Sequence, residues 1–206
     1  MARKTKEEAN RTRQQIIDAA RRVFHQRGVS RSTLEQVAQA AGLTRGAVYW
    51  HFKDKIELFA ALREDVLDPM TERVDSVLFS TGYDDPLDAI EAALKELFRV
   101  LDDCPVLRQV LEIMALRCEY VDEFAAVYAE FNRPAMEFLE KVETAYRQAA
   151  AKGTLRPGLD PAATARDTWA FVTGFLHLLL GRQLGNDLQD QVSAMVAAHM
   201  ALRRPT

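Results

Sequence analysis

Six residues within eight positions, Thr44, Arg45, Gly46, Tyr49, Trp50 and His51, bring hydroxyl, guanidinium, phenol, indole and imidazole groups together with one glycine. Such a set hydrogen-bonds, carries positive charge and stacks. Glycine is costly inside a helix, so its presence fits a place where another surface comes close. The charge around the set points to a polyanion. Residues 1–55 hold 12 Lys/Arg and 5 Asp/Glu, whereas the rest of the 206 residues hold 15 and 25, an asymmetry hidden in a net charge of −3. A solvated charged face is the plainer alternative. Catalytic chemistry finds no support. HExxH, GxSxG, P-loop and GxGxxG patterns are all missing. His25, His51, His177 and His199 are scattered, and none follows a glutamate by three residues as a helical di-iron site needs. The expectation is no enzyme, no cofactor and no metal. Cys104 and Cys118 form no CxxC pair, which fits a reducing cytoplasm.

The elements that must position this set are helices. With 48% apolar and 28% charged residues the chain is globular, and its apolar residues recur at the helical period with no sustained alternation of period two. An all-α fold of about nine helices is expected. The first helix starts after Thr5, with Glu8 completing a capping box, buries Ile16, Ala19, Ala20, Val23 and Phe24, and stops at Gly28. The second starts at Ser32 with Glu35 as box partner and buries Leu34, Val37, Ala38 and Ala41. Gly42 permits a tight turn. Thr44 caps a short third helix that sends Val48 and Phe52 inward, and Asp54 caps a fourth carrying Leu58, Phe59, Leu62 and Val66. Further helices are expected from Pro86 to about Asp103, Pro105 to about Tyr120, Asp122 to Lys152 with a kink at Pro134, Pro161 to about Gln183, and Asp187 to Leu202. The first 15 residues hold no apolar run, and the 14 residues between Asp167 and Arg182 fall short of the roughly 18 to 20 that span a bilayer. A cytoplasmic chain without membrane contact is expected.

Three short helices with a glycine-bearing turn before the third form a helix-turn-helix pattern, whose third helix enters the major groove of double-stranded DNA. The stretch Gln15 to Leu62, with Thr33-Leu34-Glu35-Gln36-Val37-Ala38, Ala41 through Phe52 and Lys55-Ile56-Glu57-Leu58, resembles the TetR family of repressors. Within it the chain is similar to the AcrR/TtgR-type repressors of multidrug efflux pumps. The resemblance implies that residues 1–54 are a DNA-binding head and 55–206 a ligand-binding and dimerisation body. It implies phosphate contacts for Thr33, Thr44, Tyr49 and His51, base reading for Arg45, which can grip guanine bidentately, and a backbone contact for Lys55. Arg3, Lys4 and Lys6 are candidates for a basic arm. Trp50 serves DNA or the small core, and His51 serves a phosphate or the helix C-terminus.

The same resemblance implies a cavity among the fourth to eighth helices for a hydrophobic small-molecule effector. Matching helices places Val66, Leu94, Leu97, Leu111, Phe138, Val142, Trp169, Val172, Thr173 and Leu176 around it, with core packing as the alternative for each. Leu111 and Ala115 stand where the efflux-pump repressors carry polar groups. A homodimer built on the last two helices is implied as well. The eighth helix is apolar nearly all round, which asks for burial on two faces. Phe175, Leu179, Leu188, Val192, Met195, Val196 and His199 are the expected contact residues of a four-helix bundle. The function implied is a ligand-responsive repressor of a multidrug efflux operon. A regulator or activator of another pathway, or a helical interaction module without DNA, are the rival readings.

Overall fold

The computed structural model describes residues 6–121, 124–125, 128–181 and 187–205, the side chains of 129–131 and 187–190 excepted. Among them are nine helices and no strand: α1 (Lys6–Arg27), α2 (Leu34–Ala41), α3 (Arg45–His51), α4 (Lys55–Leu78), α5 (Pro86–Asp103), α6 (Pro105–Leu116), α7 (Tyr128–Lys152), α8 (Pro161–Leu180) and α9 (Asp187–Ala201). The cap expected at Thr5 and the arm residues Arg3 and Lys4 lie outside the described residues. Two packing units emerge, Met1–Leu67 with Val106–Tyr128, and Asp68–Pro105 with Ala129–Thr206. This division by packing differs from a cut at residue 54, because the first half of α4 and nearly all of α6 pack with α1 to α3.

The first unit is built on α1. Its face of Ile16, Ile17, Ala19, Ala20, Val23 and Phe24 is buried, and α2 answers with Leu34, Val37, Ala38 and Ala41. Two polar side chains of α1 brace the C-terminus of α2: Gln15 Nε2 donates to the Ala41 carbonyl at 2.7 Å and Arg22 to that of Ala40 at 3.3 Å. They satisfy carbonyls that a helix end leaves open. Phe24, Phe59 and Phe124 stand edge to face in series, with ring centroids 6.3 and 5.7 Å apart. At the end of α1, Gly28 has φ +83°, and a Cβ there would sit 3.3 Å from the Arg117 carbonyl. The Val29 N–H donates to that same carbonyl at 2.9 Å, and His25 Nε2 meets Glu112 Oε2 at 2.6 Å, so the α6 segment is fastened to α1.

The second unit packs α5 on α9, and α8 on α9. Asp85 caps α5, accepting from the Leu87 N–H at 2.9 Å, and Asp160 caps α8, accepting from the Ala163 N–H at 2.8 Å. The C-terminal Arg204 gathers Asp85, Asp88 and Glu91 at 3.2, 2.7 and 3.2 Å. Phe98 and Phe175 meet at 5.0 Å. Inside, the Tyr146 hydroxyl lies 2.8 Å from Thr168 Oγ1, which lies 3.1 Å from His199 Nε2. His199 stacks on Phe171 at 4.1 Å. Burial first, and then the charge of Arg203, push its pKa down to about 4, partly opposed by Asp167.

Several boundaries differ from the sequence reading. α2 is capped by Thr33, not Ser32. The Thr33 hydroxyl accepts from the Gln36 N–H at 3.2 Å and the Gln36 side-chain oxygen accepts from the Thr33 N–H at 3.1 Å, a reciprocal capping box. Ser32 is buried and donates its hydroxyl to the Gly28 carbonyl at 2.6 Å, which removes it from capping. α6 ends at Leu116 rather than near Tyr120, and α7 is described from Tyr128 with Pro134 inside it. α8 ends at Leu180, where the Gly181 N–H closes on the His177 carbonyl at 2.9 Å.

Candidate nucleic-acid interface

The turn between α2 and α3 is held by backbone geometry. Gly42 has φ 66°, the left-handed region that suits a residue without Cβ, and the Leu43 N–H reaches back to the Ala38 carbonyl at 2.9 Å. The Thr44 hydroxyl accepts from the Ala47 N–H at 3.2 Å, which starts α3 at Arg45. Val48, fully buried, and Phe52, 1% exposed, seat the helix on the core. Arg13 stands 5.3 Å from the Phe52 ring centroid.

The opposite side of α3 is open. Trp50 is 70% exposed and Tyr49 42%. Thr44, Arg45 and Gly46 of this segment and Thr33 at the start of α2 are exposed, and His51 is half-buried, its ring edge-on to Trp50 at 4.5 Å. Apart from its chain neighbours and the backbone of its own helix, no described heavy atom lies within 4 Å of where a Gly46 Cβ would stand. The fold therefore tolerates a side chain there, and packing within the chain does not require the glycine. Trp50 stands largely outside the small core. The Arg45 guanidinium lies over the Tyr49 ring at 5.1 Å and its Nε meets Glu35 Oε1 of α2 at 3.0 Å. Glu35 is held below the usual carboxylate range, first by its own backbone N–H and then by the Thr33 hydroxyl and Arg45, against the effect of burial. Sequence reading took Glu35 only as a box partner. Its pairing joins residues ten apart across a turn, and neither helical nor strand spacing announces such a contact. Lys55 is half-buried and has partners within the chain. Its ammonium donates to the Ser30 and Ser32 carbonyls at 3.3 and 3.4 Å and stands 5.5 Å from the Phe124 ring, holding the loop ahead of α2.

The sequence pattern of the bacterial regulatory proteins of the tetR family matches residues 16–62, the stretch that builds this surface. The transcriptional regulator TtgR of Pseudomonas putida is 35% identical over 207 residues, covering 99% of this chain and 97% of that protein. The chain belongs to the tetR family. Two solved structures of similar proteins extend the likeness over the whole length. NalD, the secondary repressor of the MexAB-OprM multidrug efflux pump in Pseudomonas aeruginosa, is 30% identical with a TM-score of 0.83, covering 97% of this chain and 98% of that one. SmeT in complex with triclosan is 34% identical with a TM-score of 0.78, covering 94% and 91%. SmeT is the repressor of the Stenotrophomonas maltophilia pump SmeDEF.

The residues expected around a cavity divide between the two packing units. Leu94, Leu97, Val142 and Val172 are buried, Phe138, Trp169 and Leu176 half-buried, and Thr173 exposed, its hydroxyl donating to the Trp169 carbonyl. Phe138 and Trp169 bring their rings to 6.2 Å. Val66 and Leu111, both half-buried, belong to the other packing unit. A cavity of ≈ 320 Å³ in the second unit is lined by Phe79, Glu137, Glu140, Lys141 and Thr144, outside that set. Of the expected pairing residues, Phe175, Leu179, Val192 and Val196 are buried within the single chain, and Met195 and His199 are half-buried. The Leu188 side chain lies outside the described residues. Among the described residues, those that α8 and α9 leave exposed include Ala170, Thr173 and Gly174 together with Arg166, Asp167, His177 and Gln191. No helix among the described residues is long and apolar enough to cross a membrane, and no three metal-binding side chains gather among them.

Proposed function

We propose that the chain represses a multidrug efflux operon by binding its operator as a homodimer and leaves the DNA when a hydrophobic small molecule binds the body. The observation that carries the DNA reading is the division of α3. Val48 and Phe52 complete a core, and Arg45, Tyr49 and Trp50 are left outside it. Arg45 reads a guanine, Thr33, Thr44, Tyr49 and His51 hold phosphates, Gly46 lets the groove wall approach, and Trp50 adds a flat apolar contact. Lys55 supports the loop that presents Thr33. Residues 1–54 act as the head and 55–206 as the sensing and pairing body. Likeness to NalD and SmeT supports efflux control, and the triclosan complex of SmeT supports an aromatic, hydrophobic effector.

The pairing face we favour is the exposed surface of α8 and α9, where Ala170, Thr173 and Gly174 let helices of two copies approach closely. α4 is one continuous helix from Lys55 to Leu78, shared by both packing units. Ligand binding that displaces it changes the spacing of two recognition helices, which must match half-sites about 34–36 Å apart. A coupling of about 1–3 kcal/mol changes DNA affinity roughly 5–150-fold.

Fluorescence anisotropy of full-length protein tests this, using duplexes from upstream of its own gene and of nearby pump genes against a random duplex. A preference of about a thousandfold or more for one upstream duplex, weakening with salt and lost on adding triclosan, is the expected result. Equal affinity for every duplex overturns the repressor reading. Preference that no pump substrate or triclosan alters overturns the effector part alone.

A further inference from the structure

An ion pair on an open surface contributes little to stability, because water already solvates both charges. Glu35 and Arg45 form such a pair, with side chains 47% and 66% exposed. The Glu35 carboxylate also stands on the face assigned to DNA, where it repels phosphates. Both facts make the pair poorly suited to a purely structural role. The geometry of the guanidinium suggests another one. Arg45 is held by Glu35 at Nε (3.0 Å) and by the Tyr49 ring beneath it (5.1 Å), with Nη2 near the Tyr49 hydroxyl at 3.5 Å. An arginine can grip a base side-on through Nε and Nη2, or end-on through Nη1 and Nη2. With Nε committed to Glu35, the end-on fork is the one left to offer.

We propose that Glu35 is a positioning residue that sets the base preference of Arg45, fixing the guanidinium on Tyr49 so that its terminal nitrogens meet guanine O6 and N7. This rests on the DNA-binding reading above. Glu35 keeps its charge for the task, since its own backbone N–H and the Thr33 hydroxyl stabilise the carboxylate. Its charge also lowers affinity for every duplex alike, which weakens binding without changing the ratio between sequences, so specificity rises through the aimed fork.

The test is a selection from a duplex library with a randomised core of about 20 base pairs, two helical turns. It uses full-length wild type, Glu35→Gln, Arg45→Ala and the double variant, followed by anisotropy on the wild-type consensus and on single-pair changes of it. Arg45→Ala loses its preference for guanine at one position of each half-site. Glu35→Gln loses about fivefold or more of the discrimination at that same position, keeps it elsewhere, and binds random duplex more tightly. The double variant behaves as Arg45→Ala does at that position. Weakening of the fold alone would reduce affinity for all sites together, and thermal melts of Glu35→Gln should overlay the wild type. A Glu35→Gln protein with unchanged guanine preference overturns the proposal, as does a double variant whose losses simply add. If the wild type enriches no sequence at all, the DNA-binding reading falls and this proposal falls with it.

Discussion

α3 and α8 treat their large side chains in opposite ways. α3 buries one of its seven residues, Val48, and holds an indole 70% exposed. α8 buries Val172, Phe175, Leu179 and Leu180 and leaves small residues such as Thr173 and Gly174 exposed. Burying a large apolar side chain favours folding by about 1.5–3 kcal/mol. α8 collects that stabilisation within the chain, and α3 forgoes it at Trp50. Charged side chains lie outside a core by default, so on α3 the informative group is the exposed Trp50 indole, which the DNA-binding reading uses. Small residues outside a finished core mark a surface that another helix can approach closely.

The contrast breaks most sharply at Phe52. Its ring is buried beside Val48, so Phe52→Ala should cost about 3–5 kcal/mol and unseat α3, removing DNA binding through unfolding of the head. Chemical denaturation monitored by circular dichroism measures it. A loss under about 1 kcal/mol would mean that α3 is held by its caps and turn alone. Arg45→Ala is the counterpart on the other side of the same helix. Specific DNA affinity should fall by about 1–3 kcal/mol, and the melting curve should not move, because an exposed side chain with a solvated partner contributes little to folding.

These two positions also show why one half of the molecule is legible in its sequence. In the head, short helices leave few choices. Leu34, Val37, Ala38 and Ala41 form one stripe, Gly42 and Thr44 fix the turn, and Val48 and Phe52 settle which side of α3 faces in. What remains must face out. Capping was less legible, since Ser32 and Thr33 are both good caps and only burial of Ser32 decides between them. Lys55 was legible only in part, since a basic residue at a helix start suits a phosphate and nothing in the sequence announces the Ser30 and Ser32 carbonyls it meets. In the body, α8 is apolar on several sides, so periodicity could not tell an inner face from a paired one. Phe175 and Leu179 are expected as partner contacts, and the structure buries both within the single chain.

A smaller effect belongs to the body and is driven by acid. His199 sits half-buried there with its pKa lowered to about 4. The unfolded chain, with an ordinary histidine value near 6.5, binds the proton more readily. Stability is therefore complete above about pH 6.5 and declines as pH falls through the window down to about 4. His199→Gln, which can still hydrogen-bond to Thr168, should flatten this part of a plot of melting temperature against pH. An unaltered acid slope would place the titration elsewhere.

The smallest change tests the contrast at its most exposed point. The Trp50 ring touches the His51 ring edge-on at 4.5 Å but is 70% exposed, so truncating it removes little burial. Alanine is the better helix former by roughly half a kcal/mol, which offsets what contact is lost. Trp50→Ala should leave unfolding free energy within about 0.5 kcal/mol of the wild type, while weakening DNA binding by less than Arg45→Ala does. A stability loss beyond about 1 kcal/mol would give the indole a place in the fold after all, and the division of α3 into a seated side and an offered side would have to be redrawn around it.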